Sequence, residues 1–230
     1  MDPAPTSARR RAHPGSDTRD QILQAAEQLF AARGITSVSL REINRAANQN
    51  NTGAVQYHFG DRDGLVREII IRHRLDSEPR RHALLDQYED AGRDDLRALS
   101  AALVLPIGAK LNDVDRGRAY LRIAGEYYCR PGSFEELLAE RDPNNSMERW
   151  NALLDTAVPK AARPSLRLRV AAIRFTFVEL ALRAAVSQQD DDRLFMSHVV
   201  DQVTALLGVQ PSEATRRLLR LRKVKPSAAG

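Results

Sequence analysis

Between Ser39 and Phe59 the chain has room for two helices of about two turns each, joined by three residues. Such a pair can be plain helical packing or a recognition motif, and the residues on it decide which. Ser39 and Glu42 stand three apart, the spacing of a capping box, which opens the first helix and lets it run through Ala47. Asn48, Gln49 and Asn50 read as a turn, and Asn51 is placed to cap a second helix that ends at Phe59. Leu40, Ile43 and Ala47 on the first helix can then meet Val55 and Phe59 on the second. This spacing predicts a helix-turn-helix, whose second helix enters the DNA major groove by its N-terminal residues. Asn51 and Thr52 lie at that N-terminus and Gln56 follows one turn later, on the face of Thr52. Gly53 and Ala54 are small enough to let the backbone approach DNA closely. Glutamine pairs bidentately with adenine, and threonine or alanine touches a thymine methyl. Tyr57, His58 and Arg62 suit phosphate contacts better than base reading.

The rest of the chain also has helical spacing. Thr18 with Gln21 reads as a capping pair, ahead of one stripe of Ile22, Ala25, Ala26, Leu29 and Phe30 that Gly34 ends. Asp61 caps a fourth helix through Leu65 and Ile69 to about Leu75. Leu96, Leu99, Leu103 and Ile107 form another stripe, and Pro106 within it is expected to kink the helix or end its regular bonding. Tyr120, Ile123, Ala124, Tyr127 and Tyr128 form the next, and Ser133 with Glu136 makes a third capping box. Met147 to Val158 reads as a short helix closed by Pro159, and Pro164 suits the opening of a long helix to about Gln189. A last stripe runs from Arg193 to Leu207. No alternating strand pattern and no internal repeat interrupts this, so the expected class is all-α.

Charge and composition narrow the function. Residues 1–74 carry 11 basic and 8 acidic groups, residues 75–211 carry 18 and 21, and residues 212–230 carry 6 and 1. Both ends are basic, which favours a polyanionic partner. No apolar run reaches the ~18 residues of a membrane span, and the N-terminus lacks the apolar region of a secretory signal. A cytoplasmic location without membrane attachment is the expectation. One cysteine, Cys129, excludes an internal disulfide and a multi-cysteine zinc site, and reads as a buried, inert thiol. The five histidines are scattered without metal-ligand spacing, and no phosphate-cradling glycine loop or nucleophile elbow occurs. No enzyme, metal or cofactor is therefore expected.

Thr18-Arg19, Ile22-Leu23, Ala25-Ala26, Leu29-Phe30 and Gly34 resemble the first helix of TetR-type transcriptional regulators. Leu40, Glu42-Ile43, Ala46-Ala47, Gly53, Tyr57-His58-Phe59 and Leu65 continue the pattern in register over about residues 18–66. The chain departs from it where Asn48 to Asn51 replaces the usual Gly-Val-Ser turn, where Gln56 replaces a tyrosine, and where Arg62 replaces a lysine. The resemblance implies a homodimeric DNA-binding protein that holds a palindromic operator and is released by a small hydrophobic effector. It also implies an N-terminal three-helix helix-turn-helix domain followed by a larger helical domain for ligand binding and dimerisation.

The expected organisation is a disordered basic arm (1–16), the DNA-binding domain (17–65), the ligand and dimerisation domain (66–210) and a basic C-terminal helix end and tail (211–230). Its DNA-contacting set is Arg19, Ser39, Arg41, Asn51, Thr52, Gly53, Ala54, Gln56, Tyr57, His58 and Arg62. Leu103, Ile107, Tyr120, Ile123, Tyr127, Trp150, Arg174 and Phe177 are expected to line the effector pocket. The dimer interface is expected to use Leu166, Val170, Ile173, Phe177, Leu180, Val199, Val200, Val203 and Leu206. Arg122 and Glu126, four apart, have the spacing of a surface pair, and the alternative is that Arg122 or Arg174 turns inward to hold a carboxylate or phosphate of a ligand. The competing reading is a helical protein-interaction adaptor without specific DNA binding, in which Asn51, Thr52, Gln56 and Tyr57 would have no role.

Overall fold

The computed structural model describes residues 14–49, 51, 53–92, 95–133, 145–157, 166–186 and 192–224. Every regular element among them is helical. In chain order they are α1 (Pro14–Arg33), α2 (Leu40–Ala46), α3 (Ala54–Phe59), α4 (Arg62–Asp90) and α5 (Leu96–Gly108). A 3-10 turn (Ala109–Asn112) follows, then α6 (Arg116–Tyr128), α7 (Ser146–Ala157), α8 (Leu166–Ala185), α9 (Arg193–Gly208) and α10 (Glu213–Val224). The capping box at Ser133 and Glu136, the opening at Pro164 and the basic arm through Arg9, Arg10 and Arg11 fall outside the described residues.

Two helices run further than their sequences predict. α1 opens at Pro14 and not at Thr18, because a proline at the first helical position gives up only an N–H that has no intrahelical partner. α4 continues past Leu75 to Asp90 with Pro79 inside it. Pro79 leaves the Leu75 carbonyl without its donor, but Leu75 is 60% exposed, so water can supply one. The third proline, Pro106, sits within α5 without ending it. Its missing N–H would have served the carbonyl of Ala102. That carbonyl instead accepts a hydrogen bond from Nε of Arg81 at 3.2 Å.

The helices gather into two compact units. The first takes Met1–Ser77, Ala109–Ser133 and Phe177–Gln188. Its core joins Ile22, Phe30, Ile43, Val55, Leu65 and Ile69 of the first four helices, with Tyr120, Ile123 and Tyr127 of α6 also buried. Tyr128 stacks on Phe177 at 4.2 Å between ring centroids, and Tyr120 stacks on His73 at 4.3 Å. Nε2 of His73 meets Oε1 of Glu27 at 2.5 Å, both side chains being buried. Gly125 lets α6 come close to α8, since a Cβ there would stand 2.5 Å from that of Ala181.

The second unit takes Glu78–Gly108, Phe134–Thr176 and Gln189–Gly230. Leu85 and Tyr88 of α4, Leu99 and Leu103 of α5, Trp150 and Leu154 of α7, Ala172 of α8, and Val199, Val203 and Leu207 of α9 form its core. Trp150 buries its whole side chain and donates from Nε1 to the Leu99 carbonyl at 2.8 Å, which satisfies the indole in an apolar setting. Arg81 also donates to Oγ of Ser146 at 2.8 Å, while Oε2 of Glu78 accepts the Ser146 N–H at 2.6 Å. The first turn of α7 is thereby fixed to α4.

The packing corrects several expectations. Phe177 and Leu180 lie in the core of the first unit and Val199, Val200 and Val203 in that of the second, so these five proposed interface residues face inward. Val170, Ile173 and Leu206 are half-buried, and the side chain of Leu166 lies outside the described residues. Among the described residues, the large apolar side chains that α8 and α9 do expose are Leu182 and Leu194. The reason is width: a helix packed on both flanks buries most of its apolar arc within its own chain. Of the proposed pocket residues, Leu103, Ile107 and Trp150 are buried in the second unit and Tyr120, Ile123, Tyr127 and Phe177 in the first, while Arg174 is exposed. Cys129 is exposed, not buried, because it caps the end of α6 and does not continue its inner face.

Candidate nucleic-acid interface

The interface is built on α2 and α3. Ser39 caps α2, its hydroxyl accepting the Glu42 N–H at 3.3 Å, and Glu42 returns by accepting the Ser39 N–H at 2.9 Å. The Ser39 hydroxyl also donates to the same carboxylate at 2.7 Å, and Arg33 donates to its other oxygen at 2.8 Å. The Ser39 N–H first, then the Ser39 hydroxyl and Arg33, hold the Glu42 carboxyl down from 4.5 to about 2. A depressed carboxyl contributes stability that is complete above its unfolded value and lost as the pH falls through its folded value. In acid titrations followed by circular dichroism, Glu42→Gln should therefore flatten the loss of helix between pH 4.5 and about 2. A profile identical to that of the parent would remove Glu42 from the acid response.

The turn after α2 uses asparagine where a left-handed backbone is needed. Asn48 has φ +53°, a conformation that asparagine tolerates far better than branched residues do. Gly53 then stands at the start of α3 and has no side chain to cap it. Two asparagines supply what it lacks. Oδ1 of Asn51 accepts the Gly53 N–H at 2.9 Å, and Oδ1 of Asn44 accepts the Val55 N–H at 3.3 Å. Asn44 is only 2% exposed, so this bond ties α3 to α2 from within the core. Sequence reasoning passed over Asn44, although a polar residue in the stripe of Leu40, Ile43 and Ala47 was the available signal.

With Ala54 and Val55 turned into the core, α3 presents Gln56 and Tyr57 outward. Tyr57 is 85% exposed. His58 is half-buried, its ring lying between those of Tyr57 and Phe59. Arg41 and Asn51 are exposed on the flanking segments, and Thr52 lies outside the described residues.

Three of the expected contacts are otherwise engaged. Ala54 points its methyl inward. The Arg19 guanidinium lies over the Phe59 ring at 5.2 Å and pairs with Glu68 at 2.5 Å. Arg62 is half-buried and donates from Nη2 to the Val38 carbonyl at 2.9 Å. Arg19 thus braces the end of α3 against α4, and Arg62 ties the start of α4 to the connection between α1 and α2.

α6 holds the far side of this segment. Oε2 of Glu126 accepts the Ile35 N–H at 2.9 Å, in the connection between α1 and α2, and Arg130 pairs with Asp63 at 3.2 Å near the start of α4. Glu126 thus pairs with Arg130 and Ile35 and not with Arg122. No local pattern announces a bond between residues 91 apart.

Residues 22–69 match the family of bacterial regulatory proteins called the tetR family. The HTH-type transcriptional regulator AcrR of Shigella flexneri is 40% identical over 62 residues, 27% of this chain and 28% of that protein. The HTH-type transcriptional repressor BepR of Brucella suis biovar 1 (strain 1330) is 40% identical over 63 residues, 27% of this chain and 30% of that protein. The matching segment thus spans less than a third of either relative's length. Among solved structures, NalD of Pseudomonas aeruginosa, the secondary repressor of the MexAB-OprM multidrug efflux pump, aligns over 84% of this chain and 97% of its own. Its TM-score is 0.54 at 24% identity, a likeness of fold. From the family match over residues 22–69 and the helix-turn-helix geometry together, the N-terminal segment of this chain is similar to the tetR family of bacterial regulatory proteins.

Proposed function

We propose that the protein is a DNA-binding transcriptional regulator that represses from a palindromic operator as a homodimer and is released by a small hydrophobic effector. The observation that carries this reading is the split of α3, which buries Ala54 and Val55 and exposes Gln56 and Tyr57. A helix anchored in that way offers one face to the major groove. Gln56 is the base-reading residue, and Tyr57 and Arg41 contact phosphates. Two-fold symmetry matches half-sites one helical turn or a multiple apart. Leu182 on α8 and Leu194 on α9, both exposed, supply apolar surface for self-association. The effector acts by preferring a conformation whose paired recognition helices no longer match that spacing.

The test is a fluorescence-anisotropy titration of the full chain against DNA from upstream of its own gene and against random genomic fragments. It is run at several salt concentrations with scrambled competitor. Competitor-resistant binding at two protomers or a multiple per site is expected. Equal displacement by scrambled DNA on every fragment would overturn specific recognition and favour the adaptor reading. Gln56→Ala should relax base preference at one position of each half-site, by about tenfold, with little change on random DNA. An equal loss on all sequences would make Gln56 a phosphate contact. Arg62→Ala should leave the salt slope unchanged and lower the melting temperature, because its guanidinium serves the Val38 carbonyl.

A further inference from the structure

A cleft of about 410 Å³ opens in the first unit among α1, the N-terminal half of α6 and the end of α8. Four alanines, Ala31, Ala32, Ala119 and Ala184, line it together with the guanidinium-bearing side chains of Arg118 and Arg122. Arg118 is the unusual member. Its side chain is 7% exposed, yet among the described residues it pairs with no carboxylate. It spends Nε on the Leu111 carbonyl at 3.1 Å and Nη1 on the Val186 carbonyl at 2.9 Å. Carbonyls satisfy N–H groups but do not neutralise charge, and a buried cation without a counter-charge is costly. Asp115 stands at the mouth of the cleft, where it is exposed and its charge is screened by water. Arg122, one turn beyond Arg118, adds a second guanidinium in the exposed rim.

We propose that this cleft is a binding site for a small organic carboxylate with a compact apolar body. The carboxylate would supply the charge that Arg118 lacks and engage Arg122 at the rim, while the body would rest on the alanine walls. A volume of this size lies within the range of small-molecule sites. The ligand would touch Ala31 and Ala32 of α1 on one side and Ala119 of α6 on the other, so that occupancy acts directly on the first helix of the DNA-binding segment. The site is distinct from any pocket in the second unit.

The experiment is a calorimetric titration of the full chain, without DNA, using 2-naphthoate as probe. Its uncharged analogue 2-naphthamide and inorganic phosphate serve as comparisons. Saturable binding of 2-naphthoate is expected, about tenfold or more tighter than either comparison. Arg122→Gln and Ala32→Leu change exposed residues and should leave the circular dichroism spectrum unchanged. The first should weaken 2-naphthoate about tenfold, and the second should block it by filling the cleft. The proposal is overturned if the acid and the amide bind alike, if phosphate binds as well as the acid, if nothing saturates by about 5 mM, or if neither variant changes the affinity. Because no DNA is present, these outcomes are independent of whether the chain recognises an operator.

Discussion

Arg81→Met is expected to lower the stability of the second unit by about 2–4 kcal/mol, read as a shift of the urea midpoint. The side chain is 3% exposed, and it holds two groups that have no access to water. One is the hydroxyl of Ser146, itself fully buried at the start of α7. The other is the Ala102 carbonyl, orphaned because Pro106 has no N–H to offer it. Methionine matches the volume of the aliphatic stem but leaves both groups unsatisfied. The proline gives the argument its internal control. Pro106→Ala restores an N–H four residues after Ala102, so the double variant Arg81→Met with Pro106→Ala should regain about 1 kcal/mol of the loss. An additive cycle, within about 0.5 kcal/mol, would mean that Arg81 does not act through the Ala102 carbonyl.

The same pair shows where sequence reading stops. Pro106 is visible in the sequence and its local consequence, a broken ladder, follows from its chemistry. That the helix nevertheless continues to Gly108 depends on an arginine 21 residues away from the carbonyl it serves. Pro79 repeats the lesson with a different resolution, since exposure of Leu75 is also a property of the folded chain. By contrast, the capping box at Ser39 and Glu42, the short turn and the apolar pairing of α2 with α3 rest on contacts close in sequence, and they were legible. Orientation of long apolar stripes was not. Leu180 and Val203 lie on stripes suited equally to a core or an interface, and only the neighbours of α8 and α9 decide which. The same ambiguity kept Arg19 and Arg62 among the DNA contacts, because a basic residue near a recognition helix reads alike whether it reaches out or braces inward.

Gly64→Ala is expected to abolish specific DNA binding, a loss of about 100-fold or more, although alanine is the better helix former by about 1 kcal/mol. Gly64 lies in the first turn of α4, where the Asp61 carboxylate accepts its N–H at 2.7 Å. A Cβ there would stand 2.1 Å from the carbonyl oxygen of Phe59, the last residue of α3. No rotamer relieves a clash between a Cβ and a backbone oxygen, so α3 and α4 must separate. Phe59 cannot yield freely, since its ring carries the Arg19 guanidinium, which Glu68 of α4 also holds. The displacement falls on a helix of six residues whose start is pinned by Asn44, and it re-aims Gln56 and Tyr57 relative to the rest of the segment. Binding to random DNA, which depends on charge more than on geometry, should fall much less. The decisive comparison is specific against random affinity in the same preparation, alongside its thermal melt. If the variant kept operator affinity while melting at or above the parent's temperature, the close approach of α3 to α4 would be a by-product of packing and not the element that sets the recognition helix.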